Sequence, residues 1–312
     1  GARSVSLRAH AQSPWKKDTS MHMLNTGHHV ESVARFVHAI NGKHVDSFEG
    51  LHPAYVEAIS TLRPADLPAE PEGIKIRYED SPWVAHCKER GIFPHIVGPA
   101  SSSDGPTREE WDRQITEALD LIEEIDPGLR QMVDLFVTDI IALNSGADGG
   151  GSANTMPGVV LMSPGSTWVT LDFAMCIVHE GLHSGIFILD SVHPLFVLPP
   201  SELEKDEHRA LSAVKIGEKR PLHAAFHAAA VAVPLMFMEH SQGEHVLVDQ
   251  YTASLRDACA DMQTKRDRFT EYGQLLLDEV TEWATADPIN FDEIGHGITS
   301  PEFSGFRPQV LA

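Results

Sequence analysis

The sequence predicts a mainly α-helical protein, α or α+β in class, with a small β component. Three observations carry this expectation. From Thr107 onward apolar residues recur at helical spacing. GVVLM, residues 158–162, is the one short run that reads as a buried strand. Three long segments after residue 200 again read as helices.

Residues 1–105 read as an irregular N-terminal region that packs on the rest. They include a helix-like ESVARFVHAI at 31–40 and a proline-studded RPADLPAEPEG at 63–73. GPASSSDGP, 98–106, has the composition of a linker or surface loop and sets a soft boundary, with 106–312 as the helical domain. TREEWDRQITEALDLIEEID opens with Thr107 as N-cap and Glu110 three residues on, the spelling of a capping box. A second helix, DPGLRQMVDLFVTDIIAL, follows directly, and GADGGGSANTMPG, 146–158, is a glycine-rich loop, either a flexible connection or a substrate-covering lid. It lacks the Lys-Ser/Thr ending of a phosphate-binding loop.

After GVVLM, SPGSTW turns into TLDFAMCIVHEGLHSGIF, with Leu171, Met175, Val178 and Leu182 on one apolar helix face. Further helices are expected at SELEKDEHRALSAV, with Ser201 as cap, at RPLHAAFHAAAVAVPLMFMEH, and along residues 245–285.

Composition bounds the function. A chain of 312 residues with 42% apolar content can bury a core without staples. Three widely spaced cysteines, Cys87, Cys176 and Cys259, support neither a disulfide framework nor a cysteine-ligated zinc site, and fit a reducing cytoplasm. No run of about 18 apolar residues and no secretory signal is read, so no membrane segment is expected. A formal charge of −21 argues against nucleic acid as a partner, because that binding draws on cationic contacts to phosphate. A neutral or basic peptide suits it better.

His179, Glu180 and His183 spell His-Glu-x-x-His inside the predicted helix. With 18 histidines and 45 acidic residues this pattern arises by chance about 0.15 times in such a chain, so context has to support it. Four residues apart on a helix, both imidazoles face one side and can share an ion. A third ligand is needed. Ile186 and Leu189 break the longer HExxHxxGxxH pattern of one peptidase group. Glu202, Glu204 and Glu207 fall in the window used by another, but in a segment that reads as a solvated helix start. The other source is RPLHAAFHAAAV, where His223 and His227 again lie four apart, among alanines. Arg220, one turn earlier, is a fixed cation able to grip a carboxylate through two hydrogen bonds. In a zinc peptidase Glu180 would be the general base for a metal-bound water. His193, His240 and His245 read as loop residues, Trp168 as core packing or helix docking, and TKRDR as a solvated face.

PGVVLM, LDFAMCIVHEGLH, the LD at 189–190 and RPLHAAFHAA resemble, in order and spacing over roughly residues 152–240, the HExxH-type iron- and 2-oxoglutarate-dependent peptide β-hydroxylases of ribosomal natural-product pathways. The resemblance implies Fe(II), O2 and the co-substrate 2-oxoglutarate as the working set, with a ribosomally made precursor peptide as partner. Zinc would take iron's place in the peptidase alternative. By motif position His179, His183 and His227 would hold the iron, with His223 as the fallback third ligand. Arg220 would grip the distal carboxylate of 2-oxoglutarate, and Glu180 would orient a ligand or water. Many members carry a later histidine where this chain has Ala232. An all-histidine triad would also depart from the usual two-histidine, one-carboxylate iron site.

Overall fold

The computed structural model describes residues 21–45, 47–64 and 66–298. Helices make up 62% of the structure, so the mainly α class with a small mixed sheet is what the chain adopts.

The N-terminal region is more regular than its sequence reads. It carries helices α1 (Thr26–Asn41) and α2 (Phe48–Leu62), strand β1 (Lys75–Arg77), and helices α3 (Pro82–Arg90) and α4 (Pro94–Val97). Asn25 and Ser47 cap α1 and α2 by accepting from His28 and Gly50 amides. α1 packs against the motif helix, and β1 joins the sheet, so the soft boundary near residue 105 separates no independent core.

α5 (Gly105–Ile125) begins two residues before the expected cap. Asp104, not Thr107, is the N-cap, and its carboxylate accepts the Thr107 amide at 2.8 Å. α6 (Pro127–Phe136) stops short of the apolar segment that had read as its continuation. Asp139–Ala142 is instead strand β2, buried throughout. A short β-branched run buried on both faces looks alike in either state, and parallel pairing with β1 and β4 (Val159–Ser163) settles it as strand. The glycine-rich segment also contains a strand, β3 (Gly149–Gly151), antiparallel to β4 at the end of a sheet ordered β1-β2-β4-β3. Arg63, the C-cap of α2, locks the base of this sheet. Its guanidinium donates to Pro157 O at 2.6 Å, Thr138 Oγ1 at 2.5 Å and Asp139 Oδ2 at 3.2 Å.

The motif helix α7 runs Thr170–Val192, and Asp172 Oδ2 accepts the Val169 amide across its first turn. Its burial is broader than one stripe. Ile177, Val178, Leu182, Ile186 and Leu189 are fully buried while Leu171 and Met175 stay half-exposed. The expected helix at SELEKDEHRALSAV does not form. Only α8 (Pro200–Leu203), capped at Pro199 and not at Ser201, and a 3-10 turn at Asp206–His208 are helical there, and the chain then makes a small hairpin of β5 (Ala210–Leu211) and β6 (Lys219–Arg220). α9 (Leu222–Ser241) is nearly all buried, its alanines allowing close approach to α7, with Pro234 inside it. The stretch 245–285 is two helices, α10 (Val246–Gln263) and α11 (Glu271–Thr285), turned on each other at 264–270. The basic stretch TKRDR sits in that turn, where Lys265 pairs with Asp261 and Arg266 with Asp278. α12 (Phe291–Ile298) closes against α9.

Among the described residues, α7 and α9 are the two helices long and apolar enough to span a membrane by composition. Their apolar windows are 61% and 89% buried, as core helices are. Among the described residues the three cysteines are free.

A second group of histidines lies away from the motif. His22 Nδ1 meets Glu279 at 2.5 Å, His28 Nε2 meets Tyr272 Oη at 2.8 Å, and His29 Nε2–H donates to Met23 O at 2.6 Å. His193, in the loop after α7 as its sequence reads, stacks on His28 and joins this group. Burial holds His28 well below the usual histidine value, with the His22 and His29 charges adding to it. Burial pushes His29 down to about 4, and burial followed by the Arg35 and His22 charges pushes His193 to about 4. These groups bind fewer protons folded than unfolded, so their contribution is complete above about pH 6.5 and is lost as pH falls toward 4. Burial raises Glu279 and offsets part of this. The thermal midpoint should therefore drop by roughly 5 °C or more between pH 7 and pH 4.5. A flat midpoint by scanning calorimetry over that range would contradict it.

Candidate metal centre

α7 presents His179, His183 and Phe187, each four residues apart, to a cavity of about 400 Å³. α9 lines the facing wall with His223, His227 and Val231 at the same spacing, and Arg220 reaches in from the end of β6. Gly150, Gly151 and Ser152 of β3 and its exit form the floor, with Phe93 beside them. The two His-bearing helices face each other as expected.

His179 Nε2 and His183 Nε2 are 3.1 Å apart. Two nitrogens each bound to one ion at about 2.0–2.1 Å lie roughly 3.0–3.4 Å from each other, so this pair already has the spacing of a bidentate site. Glu180 Oε1 is 3.8 Å from His179 Nε2, and His179, Glu180 and His183 form the group whose ligand atoms all fall within 4.8 Å of one another. His227 contacts the pair from the side. Its Nδ1 is 2.9 Å from His183 Nδ1, the ring nitrogen turned away from His179, with the two rings stacked. It is not a member of that close group. Glu202, Glu204 and Glu207 line no part of the cavity.

Burial first, then the His227, His179 and Arg220 charges, hold His183 well below the usual histidine value. Burial, followed by His223 and Arg220, pushes His227 down to about 3. Both rings are therefore neutral at physiological pH, the state a metal ligand requires. Burial, with Arg220 adding to it, also lowers His223, although Glu204 and Asp190 pull the other way. Its Nδ1 is buried with no hydrogen-bond partner in the protein.

Glu180 is buried at 5% exposure, and Ser152 Oγ donates to its Oε2 at 2.6 Å. Burial raises its carboxyl above the usual range, against the pull of His179 and the Ser152 hydrogen bond. β3 reaches Glu180 only because residue 150 is glycine. A Cβ there would stand 2.8 Å from Leu161 O, 2.9 Å from Cys176 Sγ and 3.3 Å from Glu180 Cγ. The Arg220 guanidinium makes no hydrogen bond or ion pair with any described residue, whereas most of the other described arginines are paired. Lys215 adds a second cation at the rim.

Sequence reasoning named every charged group in the cavity except Lys215. It missed Ser152, Phe93 and Phe187. Phe187 continues the four-residue spacing of His179 and His183, and its ring lies 5.0 Å from that of His227, so the spacing could have found it. Nothing local marks Phe93. Trp168 packs edge-on against Phe173 and is a docking residue, and His240 stacks on Phe291.

The fold and site define a mainly helical protein with a His-Glu-x-x-His group able to hold a metal. No protein-family model and no curated protein matches the chain.

Removing either histidine of the close pair should weaken binding of Zn(II) or Co(II) by about a hundredfold or more, whereas His227→Ala should cost less if it acts on His183 from the side. Competitive titration of the metal-free protein with a chromophoric chelator measures this. Equal losses at all three positions would make His227 a direct ligand.

Proposed function

We propose that the protein is an Fe(II)- and 2-oxoglutarate-dependent hydroxylase acting on a β-carbon of a ribosomally made peptide in the cytoplasm. The observation that carries this reading is Arg220, a guanidinium without a protein partner, in the cavity that also holds His179, His183, His223 and His227. A cation left unpaired beside neutral imidazoles suits an anionic small molecule that reaches from the arginine to the metal, and a dicarboxylic keto acid has that form.

The donor set fits an iron site. His179 and His183 supply two nitrogens at ligand spacing, and the third position falls to His227 after a ring rotation or to the Glu180 carboxylate, which would complete a two-histidine, one-carboxylate set. When bound, iron and 2-oxoglutarate would supply the oxidising power that replaces a C–H bond of the substrate by C–OH, with succinate and carbon dioxide as by-products. The protein's part is to bind and orient. Arg220 would fix the distal carboxylate, Ser152 would hold the Glu180 carboxyl in place, and the apolar walls from Phe187, Ala224, Ala228 and Val231 would keep water from the reacting carbon.

One observation favours a second reading, a zinc metallopeptidase. Glu180 combines proximity to His179 with a carboxyl raised by burial, which suits a general base taking a proton from an attacking water. Arg220 separates the two.

Under anaerobic conditions Fe(II) and 2-oxoglutarate added to metal-free protein should give the visible absorption band of a chelated keto acid. Arg220→Ala should raise the 2-oxoglutarate concentration for half-formation about 10- to 100-fold. No band, together with zinc-dependent hydrolysis abolished by Glu180→Gln, would overturn the hydroxylase and establish the peptidase.

A further inference from the structure

The aromatic residue at the cavity floor is held in an unusual way. Phe93 has φ 48° and ψ 52°, in the left-handed region, and Pro94 follows it. A bulky side chain rarely adopts that conformation, and a following proline narrows the choice further. The turn is secured by Ile96 and Val97, whose amides both donate to Phe93 O. Glycine would take this position without strain, so it is the ring that the chain retains here.

The ring lies against β3. A Cβ built on Gly151 would stand 2.9–3.0 Å from three Phe93 ring carbons, while a Cβ on the neighbouring Gly150 would run into Cys176 and Glu180 of α7. The two faces of β3 therefore meet different neighbours, the metal helix on one side and the Phe93 ring on the other. β3 is also the end strand of its sheet. It pairs with β4 on one side, and its other edge pairs with no strand among the described residues. The strand is three glycines, of which Gly150 and Gly151 line the cavity.

A peptide added to such an edge sends alternate side chains to opposite faces. One residue would then point toward His179 and His183 while its neighbour points toward Phe93. We propose that Phe93 is a specificity-determining residue: an extended peptide pairs with the open edge of β3, and the ring selects an aromatic or aliphatic side chain next to the residue that reaches the metal. This rests on the reading of the substrate as a peptide, which the hydroxylase and the peptidase share.

The test uses the full chain and a library of capped octapeptides, each pool fixed at one position and randomised at the others. Pools are incubated with Fe(II), 2-oxoglutarate and O2, and in parallel with the zinc-loaded protein. Mass spectrometry reads oxygen insertion or cleavage. Wild-type products should be enriched in aromatic or aliphatic residues beside the modified position. Phe93→Ala should erase that enrichment and raise KM for the best pool peptide about tenfold, the loss falling on KM more than on kcat. Phe93→Leu should keep the aliphatic preference and lose the aromatic one. Phe93→Gly, which relieves the backbone, should lose selectivity while keeping its thermal midpoint.

Unchanged selectivity in Phe93→Ala, or a loss confined to kcat, would overturn the proposal. So would a normal iron–keto acid band with no peptide modified in any pool, an outcome that leaves the hydroxylase reading standing. Zinc-dependent cleavage with Phe93-dependent selectivity, and no iron band, would support the role of Phe93 and overturn the hydroxylase.

Discussion

The site depends on one packing constraint, the close approach of α7 to its two neighbours. On one side α9 comes near enough for His227 to touch His183, because the turns around it are alanine. On the other side β3 comes near enough for Ser152 to reach Glu180, because residue 150 has no side chain. Small residues on both flanks set the distances at which the polar groups of α7 are held. A Cβ at Gly150 would push the strand off the helix, and the Ser152 hydrogen bond to Glu180 would go with it.

That closeness has an electrostatic consequence. Burial keeps His183 and His227 neutral and raises Glu180, so the interior of the cavity carries less charge than its residue types suggest. Arg220 and Lys215 line it in a chain of net charge −21. In the proposed reading this opening would receive an anion, and the neutral imidazoles would bind a cation within the same space.

The parts legible in the sequence are those whose geometry is local. His179 with His183, and His223 with His227, share a face because four residues make about one helical turn, whatever else the fold does. Arg220 was readable as a cation ahead of α9, but its lack of a partner was not, since pairing is decided in three dimensions. β2 was misread because VTDIIA suits a buried helix as well as a buried strand, and only β1 and β4 decide between them. GGG carries no strand propensity, and β3 forms because β4 offers an edge and α7 leaves no room for a side chain. SELEKDE has good helix formers, but Pro199 and Pro200 begin the turn and the chain is drawn into the β5–β6 hairpin that delivers Arg220. Phe93 was invisible because its importance lies in a backbone angle.

Glu180 and Arg220 make competing claims on the same cavity, and their geometry bears on how both can hold. Burial raises the Glu180 carboxyl above the usual range, and the Ser152 hydroxyl holds it in place. An unpaired guanidinium, by contrast, gives little to the hydrolysis of a neutral peptide bond, and leaving it without a partner sacrifices stability that an acidic neighbour would supply. Lys205, Arg266 and Arg268 all find such neighbours in Glu202, Asp278 and Asp267. The chain has 45 acidic residues, and among the described residues none pairs with the Arg220 guanidinium. In the proposed hydroxylase, an anionic co-substrate would be the partner of the Arg220 guanidinium.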